Sequence, residues 1–395
     1  MYETFNLEIV AVELRPLAVS LNSFNGFLTL KDSKRLFFKT HVEPDNVIGE
    51  YYNASRLAAA GYSVIQPVFS STESGKQILI YNVIDDPSVF DVAWQIENGD
   101  ESRLSDLTTA QHNADDRLKE LFTQTLEYQS ADDAAQSPIH QLFYHRLTEG
   151  RLTRFYGALP GQQDDSNEYR IHLPRGEFDM RVVRQALWEI NGQRYSQSLD
   201  ELILNAMRLL NPHQDGLSII GHGDAHNGNV FLQSQDGTPS LLYFDPAFAG
   251  RHNPLLDLVK PLFHNVFAMW MYFVQEKTVQ THISLNIQDN VWHVDHDYVL
   301  HSVRRMFLES KVERVLIPVL KLLKEERDLR PDWRTYIKAA LFCCPFLTMN
   351  LADANKFTPE ISLLGLSMAI EMGAESNEKR SLIDQTLDEV AQALA

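Results

Sequence analysis

Cysteine is almost missing from this chain: its 395 residues hold two, Cys343 and Cys344, side by side. Adjacent cysteines exclude a disulfide framework and a cysteine zinc site of usual spacing. They predict buried, reduced thiols in a reducing compartment. Long apolar runs are missing too. The greasiest stretch, Leu262 to Val274, contains His264 and Asn265 and falls short of the roughly 20 residues a membrane span needs. The start, Met1-Tyr2-Glu3-Thr4, lacks the basic residues and apolar run of a signal peptide. Positive charge is scarce, with 35 Lys and Arg against 53 Asp and Glu and a net charge of −18. A nucleic-acid partner asks for a basic face and is disfavoured. At 44% hydrophobic residues, the chain is too apolar for disorder and can bury a sizeable core. No internal repeat or low-complexity tract interrupts it. The expectation is a cytoplasmic protein without membrane or nucleic-acid partners, of unknown oligomeric state.

What is present is a change of hydrophobic period along the chain. Val10 to Leu17, Phe27 to Leu30 and Leu36 to Thr40 read as strands, the last two joined by the turn-like Lys31-Asp32-Ser33-Lys34. Val47 to Ala60 reads as a helix, with Asp45 or Asn46 as its N-cap and Gly61 as its stop. Val64 to Phe69 and Gln77 to Tyr81 read as further strands. After Asp85-Asp86-Pro87 the composition turns polar and acidic, and a helix is expected from Leu104 to Tyr128. Asn191-Gly192 marks a hairpin between two strand-like runs. Ser198 and Glu201 form a capping box before the apolar stripe Leu199, Leu202, Ile203, Ala206 and Leu209. Residues 300–395 read as mostly helical.

The chemistry concentrates in 217–260. The strand-like Ile219-Ile220 runs into a loop dense in His, Asp and Asn: Gly221-His222-Gly223-Asp224-Ala225-His226-Asn227-Gly228-Asn229. Val230 to Leu232 leaves that loop, Asp236-Gly237 turns, and Leu241 to Phe244 returns to deliver Asp245. A carboxylate and a carboxamide at one hairpin mouth, faced by a second carboxylate, make an oxygen site for Mg²⁺, which keeps water and phosphate oxygens in its shell. A carboxylate held apart from the cation can accept a hydroxyl proton as the oxygen attacks phosphorus.

In His222-x-Asp224-x-x-x-x-Asn229, the Asp and Asn have the spacing of a kinase catalytic loop, and Asp245 follows where a kinase places its metal-binding Asp. The fuller pattern adds His226, Gly228, Gly250 and Asp257-Leu258. It resembles the aminoglycoside phosphotransferase family, small-molecule kinases with a protein-kinase-like fold. The resemblance covers about 20–90 and 185–275, and leaves 96–180 and 280–395 unmatched. It implies an α+β, bilobal fold: a small N-terminal β-sheet lobe with one helix (1–85), a hinge near 82–86, and a large helical lobe (86–395). It implies ATP or GTP with Mg²⁺ in the cleft, and a small-molecule acceptor such as a sugar, amino sugar, aminoglycoside or amino alcohol. It implies Asp224 as base, Asn229 and Asp245 as Mg²⁺ ligands, and His222 and Asp257 as structural supports of the loop. In the first third, Lys39 ends a strand and Glu50 lies on the next helix, matching the lysine that holds phosphates and the glutamate that holds the lysine. Ser23-Phe24-Asn25-Gly26 falls where the phosphate-covering loop belongs, and Asn82-Val83-Ile84 where the hinge backbone pairs with adenine.

The chain departs from protein kinases at three places. The nucleotide loop has one glycine, Gly26; Pro246-Ala247 stands for Phe-Gly; and Gly223 replaces the arginine that reads a phosphorylated activation loop. Only Pro246 to Pro254 separates Asp245 from the next helix. About nine residues reach roughly 30 Å at most and must also turn, which is too little for a peptide platform. Two rival readings are a catalytically silent kinase-like scaffold and a metal-dependent hydrolase using His222, Asp224 and His226. Arg146, Arg151 and Arg154 read as a solvated helix face, with an anionic acceptor as the other reading, whereas the acidic surplus points to a cationic or neutral one. His293 and His296 read as strand or surface residues, and Trp270 as core.

Overall fold

The computed structural model describes residues 2–14, 23–41, 44–71, 73, 75–162, 169–235 and 237–395. Five antiparallel strands open the chain: β1 (Ile9–Leu14), β2 (Ser23–Leu30), β3 (Arg35–His41), β4 (Phe69–Ser71) and β5 (Ile78–Asn82). They lie in the order β1-β2-β3-β5-β4. The β2–β3 turn closes because Ser33 takes a φ of 68° and Leu30 N–H donates to the Lys34 carbonyl at 2.8 Å. Side chains alternate across a strand. Leu36 and Phe38 of β3 therefore share one buried face with Leu28 and Ile80, and Lys39 falls on the other.

Helix α1 (Pro44–Ala60) follows and buries Ala54 and Leu57. It ends as expected at Gly61, whose φ is +100°. Tyr62 N–H donates to the Leu57 carbonyl and Gly61 N–H to that of Ala58, each at 3.0 Å, so the last turn's free carbonyls are satisfied by a left-handed cap. The strand expected over Val64 to Phe69 is not formed as one piece. Pro67 has no N–H to give, and Val64 makes a single parallel bridge to Tyr243. Ile65 N–H donates to the Tyr243 carbonyl at 2.9 Å, and the strand β4 begins only at Phe69.

The rest of the chain is mainly helical, so the structure is of the mixed α+β class. Among its helices are Leu104–Thr125, Leu199–Leu209, α2 (Pro254–His264), α3 (Trp333–Leu347), α4 (Pro359–Gly373) and α5 (Leu382–Leu394). The Ser198–Glu201 capping box is complete in both directions. A four-stranded sheet joins the 187–194 hairpin to the hairpin Ile283–Gln288 and Val291–His296, with His293 and His296 on the latter. Trp188, Trp270 and Trp292 are fully buried, as are the free thiols of Cys343 and Cys344. No helix among the described residues is long and apolar enough to cross a membrane.

One ion cluster ties α3 to α5. Asp384 is wholly buried and accepts from Lys338 Nζ, from Arg334 Nη2 at 3.0 Å, and from Ser376 N–H at 2.8 Å. Lys338 is also wholly buried. Removing one partner of such a pair strands the other charge, and typically costs about 3–5 kcal/mol. Asp384→Ala is expected to lose stability of that order, read as a large drop in denaturant midpoint relative to the parent chain.

Candidate active site

The site hangs on three strands: β6 (Gly216–Gly221), β7 (Val230–Gln235) and β8 (Thr238–Tyr243). β6 pairs with Gly250–His252, setting Gly221 opposite Gly250. A Cβ on Gly221 would lie 2.5 Å from Asp257 Oδ1, and one on Gly223 2.5 Å from the Phe248 carbonyl oxygen. Gly223 also has a φ of +79°, a conformation that glycine adopts without steric cost. The two glycines let the loop press against the first turn of α2. There Asp257 accepts from Gly223 N–H at 2.6 Å and sits 2.9 Å from His252 Nε2. Burial works against the Asp257 charge, but the His252 and Gly223 hydrogen bonds prevail and hold its carboxyl below the usual range. His222 is buried, with Nε2 at 3.0 Å from the Phe244 carbonyl oxygen. Its Nδ1 accepts from Asp224 N–H at 3.4 Å, so the proton sits on Nε2 and the ring spans the loop and the end of β8.

Asn229 closes a one-turn 3₁₀ helix and its carbonyl accepts Phe244 N–H at 3.0 Å, at the base of the β7–β8 hairpin. Its Nδ2 donates to the Asp224 carbonyl at 3.0 Å, which leaves Oδ1 as the atom available to a cation. Asp245, next after Phe244, has a φ of 54°. Its Oδ1 receives Lys39 Nζ at 2.9 Å, across 206 residues of chain. The Lys39 side chain is 15% exposed and that of Asp245 41%. Asn53 of α1 donates to the Pro246 carbonyl at 3.2 Å, and Tyr62 to that of Ile220 at 2.8 Å. The N-terminal sheet and helix are thereby fastened to both sides of the loop.

Asp224 points into a polar recess. Its Oδ1 is buried without a hydrogen bond, 3.8 Å from Lys260 Nζ, and its Oδ2 lies 3.8 Å from His226 Nε2. His226 Nδ1 accepts from Gly228 N–H at 3.1 Å, so Nε2 carries the hydrogen. Behind Asp224, Lys260 Nζ is 3.0 Å from His264 Nε2, and Tyr272 Oη is 2.8 Å from His264 Nδ1. Burial, then the Lys260 charge, push His264 well below the usual histidine range, so it stays neutral. Burial lowers Lys260 also, against the pull of Asp224. Burial likewise lowers His226, with Asp224 opposing.

Asp224, Asn229, Asp245, Lys39, His222 and Asp257 thus occupy one neighbourhood. Other expected residues do not fall as anticipated. Ser23, Phe24, Asn25 and Gly26 are not a loop but the first half of β2, with Asn25 opposite Lys39. β1 lies so close to Gly26 that a Cβ there would strike the Glu13 carbonyl. The chain that joins β1 to β2 falls outside the described residues. Glu50 lies on α1, but its side chain is outside the described residues, so its pairing with Lys39 is too. Asn82 ends β5, and Val83 and Ile84 follow without regular structure. His222, Asp224 and His226 do not share a metal centre, and no three His, Cys, Asp or Glu side chains gather around one among the described residues. Arg146 and Arg151 are not a solvated face: both are partly buried, and only Arg154 is exposed. Lys260 went unnoticed in the sequence. Its spacing held the signal, three residues after Asp257 and four before His264 on one helix.

The order and placement of these parts are kinase-like. No family model and no curated protein matches the sequence. Among solved structures, the chain is similar to an amicoumacin kinase in complex with AMP-PNP, Ca²⁺ and Ami, at 14% identity and a TM-score of 0.47, with 93% of this chain and 90% of that one covered. It is similar to a microcompartment-associated aminopropanol kinase at 10% identity and a TM-score of 0.43, with 100% and 98% covered. It is also similar to a macrolide 2′-phosphotransferase from Brachybacterium faecium at 10% identity and a TM-score of 0.35, with 86% and 96% covered. At these TM-scores the reading of the site rests on its own geometry.

Proposed function

We propose that this protein is an ATP- or GTP-dependent phosphotransferase that phosphorylates a hydroxyl group of a small molecule. The observation that carries the reading is the meeting of Lys39 with Asp245 at 2.9 Å, next to a loop in which Asn229 holds the Asp224 carbonyl at 3.0 Å. Residues 1–85 then form the nucleotide-binding unit, 86–395 supply the catalytic loop and acceptor site, and Asn82 to Ile84 present backbone to the base. Lys39 steadies the donor phosphates. Asp245 and Asn229 Oδ1 would hold Mg²⁺, a donor set of carboxylate and carboxamide oxygen that suits a hard cation and would neutralise phosphate charge. Asp224 Oδ1, buried and without a hydrogen bond, accepts the proton of the acceptor hydroxyl as that oxygen attacks the γ-phosphorus. The bond from the γ-phosphorus to the bridging oxygen breaks, and the nucleoside diphosphate leaves. His222 and Asp257 keep the loop in register.

A small acceptor is favoured over a peptide by the short path after Asp245. Ala249 N–H turns back to the Pro246 carbonyl at 3.1 Å, Gly250–His252 is bound to β6, and α2 begins at Pro254. Nothing in that path is left to lie along a polypeptide. Incubation with γ-labelled ATP and Mg²⁺, first with a protein extract and then with a metabolite extract, tests this. Label is expected in small molecules, and transfer to proteins alone would overturn it.

A further inference from the structure

Cationic side chains crowd the recess beside Asp224. Lys260 is 3% exposed and stands 3.8 Å from Asp224 Oδ1. Arg146, on the short helix Tyr144–Thr148, reaches the segment that follows α3. Its Nη1 makes only a long contact, 3.4 Å, with Thr348 Oγ1, and its Nε is buried without a hydrogen-bond partner. Arg151 Nη1 donates to the Leu347 carbonyl at 3.3 Å. For both Arg146 and Lys260, Asp224 is the strongest charge acting in favour of the cation. Burial, and then the Arg146 charge, lower Arg151. Lys260, Arg146 and Arg151 thus form one cationic group, and Lys260 and Arg146 are its members on which Asp224 acts. Such a group is short of negative charge, and a cationic acceptor would add a fourth positive charge. The arginine fork, with an unused buried N–H, matches a planar carboxylate or a phosphate. Tyr272, whose hydroxyl lies 2.8 Å from His264 Nδ1, meets Phe90 edge-on at 5.2 Å, and Phe90 stacks on Phe273 at 5.4 Å.

We propose that the acceptor of this enzyme is an anionic hydroxylated molecule, whose carboxylate or phosphate is held by Arg146 with Lys260 while its hydroxyl faces Asp224. This rests on Asp224 being the base of a phosphoryl transfer. It runs against the surplus of acidic residues in the chain as a whole, because a pocket is governed by the charges that line it.

The test uses the full-length protein and two sets of probes, each on one skeleton: glycerol, glycerate, glycerol 3-phosphate and 3-amino-1,2-propanediol; and glucose, gluconate, glucose 6-phosphate and glucosamine. Binding is measured by calorimetry with AMP-PNP and Mg²⁺ present, so that the donor's phosphate site is filled. Transfer from ATP is measured separately. At least one anionic probe should bind about tenfold to a hundredfold more tightly than its neutral and cationic partners. Arg146→Gln should erase that preference while leaving AMP-PNP affinity within a few-fold, and Arg146→Lys should restore it in part. The carboxylate and phosphate arms tell which anion is read. Anion binding that depends on Arg146, with no transfer to any probe and no ATP consumed in a metabolite extract, would keep the anion site and refute the phosphotransferase reading. Transfer to a neutral or cationic probe, indifferent to Arg146→Gln, would do the reverse. Absence of anion preference in every set overturns the proposal. So does an Arg146→Gln variant that loses AMP-PNP and the anion equally, because the cluster would then serve the donor phosphates.

Discussion

Asp224→Asn is expected to lower phosphoryl transfer by about 10²–10⁴, the usual contribution of a positioned general base, while AMP-PNP affinity changes by no more than a few-fold. The substitution keeps the shape of the side chain and the backbone carbonyl that holds Asn229 Nδ2 at 3.0 Å. What it removes is the proton-accepting oxygen. Lys260 and His226 stand 3.8 Å from the carboxylate, too far to take up the proton through a direct hydrogen bond. Turnover and nucleotide titrations on the same preparation separate the outcomes. If turnover and affinity fell together, Asp224 would be holding the loop rather than moving a proton.

Asp245→Ala is expected to abolish the Mg²⁺ dependence of nucleotide binding, and with it turnover. Lys39 would lose its partner at 2.9 Å, and the hairpin mouth would keep one cation ligand, Asn229 Oδ1. The Lys39 ammonium still attracts phosphate, so some Mg²⁺-independent binding should persist. Titrating AMP-PNP with and without Mg²⁺ resolves this. The parent should bind far more tightly with Mg²⁺, and the variant should bind equally with either. A variant that kept the full Mg²⁺ enhancement would place the cation elsewhere.

The parts of this site that could be read in the sequence are those whose position follows from a local period. Lys39 follows from alternation, since Leu36 and Phe38 turn to the core and leave it on the other face. Asp224, Asn229 and Asp245 follow from a strand, a tight loop and a hairpin, which are short-range features. The Gly61 stop and the Ser198–Glu201 box were legible for the same reason. What was hidden depends on distant partners. Ser23 to Gly26 fall where a loop between two strands is expected, but Asn25 is drawn into β2 by its pairing with Lys39. The same holds for Val64, which bridges Tyr243 far along the chain, so that β4 begins only at Phe69. Arg146 and Lys260 carry charges that composition assigns to solvent. Their inward placement exists only because the Tyr144–Thr148 helix packs on α3 and α3 on α2, which carries Lys260 to Asp224.

The most direct test of the kinase-like reading is phosphorus NMR of ATP, Mg²⁺ and a metabolite extract with the parent protein and with Asp224→Asn. A new phosphomonoester resonance should grow in step with ADP for the parent, and about 10²–10⁴ more slowly for the variant. Unchanged ATP with the parent, or its conversion to ADP and inorganic phosphate alone, would contradict the account and leave a nucleotide-binding module without transfer chemistry.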